Sequence, residues 1–214
     1  MVLNKKNILI LGASGYIGRH LFKRLGIGRA VATFNKNPIN DAVKFDSLNM
    51  SIADLKIDDR EISHAIILLG ETNIDTCAGN EKKSNDLNVG SIIALIEDLK
   101  SEGVIPVFIS TDNVFDGTRG SYSETDLPNP IVVYGRQKLE IENYLQSQCK
   151  DFCIVRLSKV YGLAPGDGTL FTTWMKALFD GEYIRVATDQ VFSPISIDDD
   201  LYFPEGPAIM CRSS

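Results

Sequence analysis

The chain has 214 residues, 44% of them apolar and 23% charged, with a formal net charge of −6. That is enough sequence for a full hydrophobic core, and an acidic balance without a long basic run argues against electrostatic binding of nucleic acid. No stretch has the length and apolarity of a membrane span, and Met1 to Lys6 lead straight into a short apolar strand without a signal-peptide core, so the expected location is the cytoplasm.

Asn7 to Leu11 reads as an apolar strand, followed by a glycine turn and a helix from about Tyr16 to Leu25. Ala30 to Phe34 and Ala42 to Phe45 are the next two strands. Ala65 to Leu69 is apolar throughout, the pattern of a strand covered on both faces. Ser91 to Lys100 sets Ile92, Leu95, Ile96 and Leu99 on one helical face. That stripe is a candidate homodimer surface, although burial within the monomer explains it equally well. Next come a strand from Val104 to Ile109, a helix that includes Tyr134, and a strand from Phe152 to Leu157. The alternation predicts right-handed crossovers and an α/β fold with a Rossmann-like, doubly wound parallel sheet.

The connection from Asp112 to Pro130 is rich in Gly, Ser, Asp, Asn and Pro. A loop of that length within a compact domain is functional or disordered. Past Gly162 the alternation stops. Leu170, Phe171, Trp174, Met175, Leu178 and Phe179 make one more amphipathic helix, and Tyr183 to Ala187 one more short strand. From Tyr202 no periodicity remains, which predicts a poorly ordered tail or an edge extension. Residues 1–160 are expected to form a dinucleotide-binding domain and 161–214 a partial substrate lobe with an irregular tail. Cys77, Cys149, Cys153 and Cys211 lack paired C-x2-C spacing, so no metal site is expected and all four are expected to be reduced thiols.

Ile8 to Leu11 run into Gly12-Ala13-Ser14-Gly15-Tyr16-Ile17-Gly18, which opens the first helix. In this strand–turn–helix context Gly12 permits the tight turn, Gly15 admits a pyrophosphate, and Gly18 allows close helix–strand packing. Gly12, Ser14, Gly15, Tyr16 and Ile17 are therefore the candidate phosphate contacts. At the end of the second strand, where a carboxylate would take the ribose hydroxyls of NAD, stand Asn35 and Lys36. An uncharged turn with a lysine accepts a 2′-phosphate, so NADP(H) is favoured and NAD(H) stays open. Asp46, after the third strand, is a candidate adenine contact. Leu69 and Gly70, closing the fourth strand, complete the cofactor set.

Tyr134 and Lys138 lie four residues apart, so on a helix both project from one face. Ser110-Thr111 stands where a buried strand ends, on the side where open parallel sheets bind ligands. A hydroxyl, a phenol and an amine can then converge on one carbonyl, and a neighbouring cation is expected to lower the tyrosine pKa.

Gly12-x2-Gly15-x2-Gly18 with Tyr134-x3-Lys138 resembles the extended short-chain dehydrogenase/reductases. Ser110-Thr111-Asp112-Asn113-Val114-Phe115-Asp116-Gly117, followed by Tyr122-x-Glu124-x-Asp126-x-Pro128-x-Pro130-x3-Tyr134-Gly135, looks like their dTDP-4-dehydrorhamnose reductase branch. Arg156 to Gly162 and Asp189-Gln190 extend the likeness, which covers roughly residues 7–197. The resemblance implies that Tyr134 protonates the C4 oxygen of a nucleotide sugar as hydride arrives. Lys138 would tune it and hold the nicotinamide ribose, and Thr111 would bind the carbonyl. Asn88 would line the site or serve as a structural polar residue. Thr72, Asn113, Val114 and Lys159 would join Tyr134 at the sugar.

The chain departs from the pattern in three places. Asn113 stands where related dehydratases carry a glutamate, and an amide cannot take the C5 proton. Rhamnose reductases show tyrosine at the Asn113 position and tryptophan at the Lys159 position. Members also continue past the 194–200 region into helices that complete the sugar lobe, whereas here an unpatterned tail follows. The implied activity is NAD(P)H-dependent reduction of the 4-keto group of a nucleoside-diphosphate deoxysugar in cell-surface polysaccharide synthesis. Two alternatives stay open: a non-catalytic NADP-binding regulatory subunit similar to the methionine adenosyltransferase β subunit, and a nucleotide-sugar epimerase.

Overall fold

The computed structural model describes residues 7–56, 61–188, 191–198 and 209–212. Asp189, Gln190 and most of the tail from Tyr202 lie outside the described residues. β1 (Asn7–Leu11) lies inside the sheet, with a strand paired on each side. Its side chains alternate, Leu9 and Leu11 entering one hydrophobic cluster and Ile8 and Ile10 the other. α1 (Tyr16–Leu25) packs on the second cluster through Leu21, Phe22 and Leu25. β2 (Ala30–Phe34) and β3 (Ala42–Lys44) extend the sheet on one side, both parallel to β1.

The chain then crosses to the other side of β1. β4 (Ile62–Ile67) pairs parallel with it and β5 (Ile105–Thr111) with β4. Between them run α2 (Ile74–Gly79), α3 (Glu81–Asn85), a π turn at Asp86–Gly90 and α4 (Ser91–Ser101). α5 (Val133–Gln148) leads to β6 (Phe152–Leu157), parallel to β5. β7 (Val160–Tyr161), α6 (Leu170–Phe179) and β8 (Ile195–Ser196) follow, β7 and β8 forming a separate two-stranded pair. β9 (Ile209–Arg212) closes the main sheet antiparallel to β6. The order is β3-β2-β1-β4-β5-β6-β9, a doubly wound α/β sheet whose order reverses between β1 and β4. The ligand crevice of such a sheet lies at that reversal, outside the carboxyl ends of the strands.

Several elements differ from the sequence-based expectation. β4 begins at Ile62 rather than Ala65, because it pairs with β1 from Asn7 onward. It ends before Leu68 and Leu69, which carry the chain towards the crevice. α2 and α3 have no counterpart in the sequence pattern, since their residues are largely polar and aperiodic; Asn73 and Asn80 start them by accepting backbone N–H groups at the helix N-termini. The strand expected over Tyr183 to Ala187 is irregular, with Tyr183 fully exposed, and β7 pairs with β8 instead. In the tail, 209–212 takes the edge-extension alternative. That register sets Cys211 opposite Cys153, and the two are joined in a disulfide. The reduced-thiol expectation therefore fails for this pair, a cross-strand proximity that spacing could not disclose. Cys77 and Cys149 are free and buried.

α4 buries Ile92, Leu95, Ile96 and Leu99, each at most 2% exposed, in the first cluster with Phe108, Ile141 and Leu145. This packing consumes the stripe, so it is not available as a homodimer surface. No helix among the described residues is long and apolar enough to cross a membrane.

The crossing of β1 and α1 depends on Gly18, where a Cβ would stand 2.6 Å from both Ala13 Cα and the Gly12 carbonyl oxygen. Gly18→Ala is expected to lower stability by about 1–3 kcal/mol through overpacking. Urea denaturation measures this, and a variant as stable as the parent would show that α1 has room to move.

Candidate active site

The glycine turn sits at the carboxyl end of β1. Gly12 has φ 92°, and a Cβ there would press within 3.2 Å of the Leu68 carbonyl group. Its N–H donates to Thr33 Oγ1 at 3.1 Å, and that hydroxyl donates to the Ile10 carbonyl at 3.2 Å, so β2 holds the turn in place. Gly15 caps α1 without a side-chain acceptor, and the first turn of the helix carries no acid. Backbone amides and the positive end of the helix dipole thus face a space that a side chain would fill, which suits a pyrophosphate. Ser14, Tyr16 and Ile17 are partly exposed around it.

Asn35 and Lys36 follow β2, the lysine exposed. Asp46 spends its carboxylate on Asn49 Nδ2 and the Leu48 amide, at 2.9 and 3.2 Å. The Asn49 bond is the main cause of its lowered pKa, with smaller help from Lys44 and Lys36. Leu69 and Gly70 lie beyond β4, and Thr72 is exposed.

Thr111 ends β5, and Tyr134 and Lys138 lie one turn apart on α5; all three are at most 8% exposed. Gly135 makes this approach possible, since a Cβ there would overlap the Asn113 carbonyl of the 3-10 turn at Asp112–Val114. Lys138 Nζ donates to the Ile109 carbonyl at 2.9 Å and lies 4.5 Å from the Phe108 ring centre and 5.8 Å from that of Tyr134. Burial lowers the ammonium pKa to about 8, against opposing pulls from Glu142 and Cys77. The expected lowering of Tyr134 does not occur. Burial pushes the phenol well above its ordinary range, with additions from Cys77 and Asp112 that outweigh the help of the Thr111 hydroxyl. Lysine and tyrosine are buried side by side, and the lysine donates to a carbonyl.

Thr111 Oγ1 donates to Asp112 Oδ1 at 3.2 Å and accepts from Asn113 Nδ2 at 2.9 Å. Asn113 is thus turned to the threonine. Val114, expected at the substrate, is wholly buried and supports the turn from inside. Lys159 is exposed beyond β6. Asn88, presented by the π turn, is structural in its contacts: it binds both the N–H and the C=O of Glu71, at 2.7 and 3.0 Å, and donates to Gln137 Oε1 at 2.8 Å. It ties Glu71, just past β4, to α5, between the glycine turn and the Tyr134–Lys138 face.

Sequence reasoning missed Gln137, Glu142, Arg156 and Asp167. Gln137 continues the Asn88 chain to Ser84 Oγ at 2.8 Å. Glu142 repeats the Tyr134–Lys138 spacing once more, a signal that was present and unread. Arg156 pairs with it in the core, at 4% and 0% side-chain exposure. Asp167 accepts from the Tyr16 hydroxyl at 3.1 Å, fastening the segment before α6 to the cofactor turn.

The lysine has a consequence for stability. Its folded pKa near 8 lies below the ordinary 10.5, so between these values the unfolded chain binds the extra proton and stability rises with pH. Tyr134, raised, acts in the opposite sense only as pH climbs past its ordinary 10.0. Lys138 alone is expected to add about 2 kcal/mol between about pH 7.5 and about pH 9.5, and Lys138→Met to remove that rise. Denaturant titrations at both pH values test it; equal slopes in the two proteins would place the effect elsewhere.

A family model described as the RmlD substrate binding domain matches residues 6–200. The chain is 27% identical over 168 residues to methionine adenosyltransferase 2 subunit beta of Rattus norvegicus, covering 73% of this chain and 48% of that protein. It is 28% identical over 193 residues to the dTDP-4-dehydrorhamnose reductase of Salmonella typhimurium, covering 88% of this chain and 62% of that one. The chain therefore spans less than two-thirds of either relative. The crystal structure of a dTDP-4-dehydrorhamnose reductase from Bacillus anthracis in complex with NADP is similar at a TM-score of 0.76 and 25% identity, over 91% of this chain and 67% of that one. With the doubly wound sheet, the glycine turn and the Tyr134–Lys138 face in place, the chain belongs to the RmlD-like family of extended short-chain dehydrogenase/reductases.

Proposed function

We propose that the protein is an NADP(H)-dependent reductase acting in the cytoplasm on the 4-keto group of a nucleoside-diphosphate deoxysugar. One observation carries this reading: Thr111, Tyr134 and Lys138 are buried together at the carboxyl end of β5, across the sheet reversal from the glycine turn. The nicotinamide, when bound, supplies the hydride. Tyr134 is the proton donor to the C4 oxygen. Its raised pKa keeps the phenol loaded at neutral pH, the state in which a reductive step needs its acid. Lys138 supplies positive charge beside the developing phenolate. Thr111 can bind the carbonyl once its hydroxyl turns from Asp112. Asn113, an amide, offers no base for removing a C5 proton, which disfavours dehydration.

For the cofactor, Lys36 and Lys44 act on the same edge of the sheet as Asp46, and Asn35 adds no repelling charge. That edge suits a 2′-phosphate. Lys36→Glu is expected to weaken NADPH binding about tenfold while leaving NADH binding unchanged, as read by fluorescence titration. Equal losses for both cofactors would remove the NADP assignment.

The second reading is a non-catalytic cofactor-binding subunit, and the Thr111–Asp112 contact favours it, because it occupies the hydroxyl proton that would meet a substrate carbonyl. Absorbance measurement of NADPH oxidation with a panel of 4-keto sugar nucleotides separates the two. Tyr134→Phe is expected to cut turnover by at least about 100-fold with NADPH affinity intact. Tight NADPH binding by a parent protein that turns over no 4-keto sugar would establish the binding subunit instead.

A further inference from the structure

A buried ion pair lies beneath the Tyr134–Lys138 face and has no part in the reading above. Glu142, one turn beyond Lys138 on α5, is 0% exposed. Its Oε1 accepts from Ser110 Oγ at 2.5 Å and from Arg156 Nε at 3.0 Å, and its Oε2 from Arg156 Nη2 at 2.6 Å. Ser110 directly precedes Thr111 at the end of β5. Arg156 stands on β6 as the register partner of Ser110, with its guanidinium 5.0 Å over the Phe115 ring just past the 112–114 turn. One carboxylate therefore joins the strand that carries Thr111, the helix that carries Tyr134 and Lys138, and the loop that flanks both.

We propose that Glu142 is a positioning residue for the Tyr134–Lys138 pair: it locks the end of β5 against α5 and supplies the negative charge that keeps the buried Lys138 an ammonium. This deepens the reductase reading and rests on its assignment of that pair. Stability alone does not call for such a carboxylate, because buried ion pairs can be exchanged for apolar residues of similar volume without loss of fold. The groups that face Lys138 are Tyr134 and Glu142 from α5, the Phe108 ring and Ile109 carbonyl from β5, and Cys77 from α2. Asp112 acts on Tyr134, and Arg156 is spent on Glu142. Of the groups that favour the charged lysine, Glu142 has the larger effect. A lysine that loses its proton cannot stabilise a phenolate, so removing Glu142 should move the chemistry without removing any reacting group.

The test follows the Lys138 side chain by carbon-13 NMR in lysine-labelled protein, its signal assigned by its loss in Lys138→Arg. The parent, Glu142→Gln, and the double variant Glu142→Gln/Arg156→Met are titrated. The double variant strands no buried charge and is the protein read if Glu142→Gln does not fold. Lys138 is expected to titrate near pH 8 in the parent. In the variants its midpoint should fall by about one pH unit, tenfold in proton affinity. The pH profile of kcat should shift the same way, with KM for NADPH unchanged. An unmoved midpoint in a folded variant overturns the proposal, and so does failure of both variants to fold. A shifted midpoint in a protein that turns over no 4-keto sugar leaves the positioning role standing and removes the reductase reading; turnover with an unmoved midpoint does the reverse.

Discussion

The ammonium of Lys138 is held out of water, and the contacts around the candidate site answer to that constraint. Desolvating such a charge costs several kcal/mol even after relaxation. The Ile109 carbonyl accepts its proton, the Phe108 ring lies 4.5 Å below it, and Glu142 stands one helical turn away. Each offset is partial, as a cation over an aromatic face contributes about 2 kcal/mol when dry. The lysine pKa accordingly settles near 8, below its ordinary value but high enough to stay charged at neutral pH. The same dryness acts on Tyr134 with the opposite consequence: it favours the neutral phenol, so one environment holds a charged ammonium and a protonated phenol side by side.

What creates that dry pocket is the topology. α5 crosses from β5 to β6 and packs Ile141 and Leu145 against α4 and the sheet, which drives the polar end of the same face down onto the strand ends. Thr111, Ser110 and Arg156 occupy those ends because parallel strands terminate together there. On the other flank the π turn at Asp86–Gly90 swings Asn88 out of the helical register and into the gap between β4 and α5. π turns inside helices recur at functional sites because they re-aim a side chain in this way. Here the re-aimed amide holds the backbone just after β4, between the glycine turn and the Tyr134–Lys138 face.

Local patterning made β1, α1, β2, α5, β6 and α6 readable, since each carries its own periodicity or its own turn chemistry. The glycine turn and the Tyr134–Lys138 spacing were likewise local facts. What escaped were relations between distant segments. The helices from 74 to 85 are held by asparagine caps and by Ser84 and Asn88 rather than by an apolar stripe, so hydrophobic periodicity is silent there. β9 becomes a strand only because β6 offers an open edge, and Cys153 meets Cys211 only through that register. The direction of the Tyr134 shift was misjudged for the same reason: spacing shows that a cation is near, but the depth of burial decides whether proximity or desolvation wins.

The segment after β6 is fastened to the start of α1 by the Tyr16 hydroxyl. The Tyr16 hydroxyl, in the first turn of the phosphate helix, donates to Asp167, whose other oxygen accepts from the Thr169 amide and Thr172 hydroxyl at the start of α6. Burial and the Asp167 carboxylate together push the Tyr16 phenol up to about 12, so the bond holds across the physiological range. α6 then divides its faces. Phe171 packs edge-on to Tyr161 and Trp174, while Met175, Leu178 and Phe179 are 52%, 66% and 85% exposed. The start of α6 is therefore fastened, through Asp167, to the first turn of α1. The burial under α5 sets the protonation of Lys138 and Tyr134; the Tyr16–Asp167 tie sets where the start of α6 stands relative to the glycine turn.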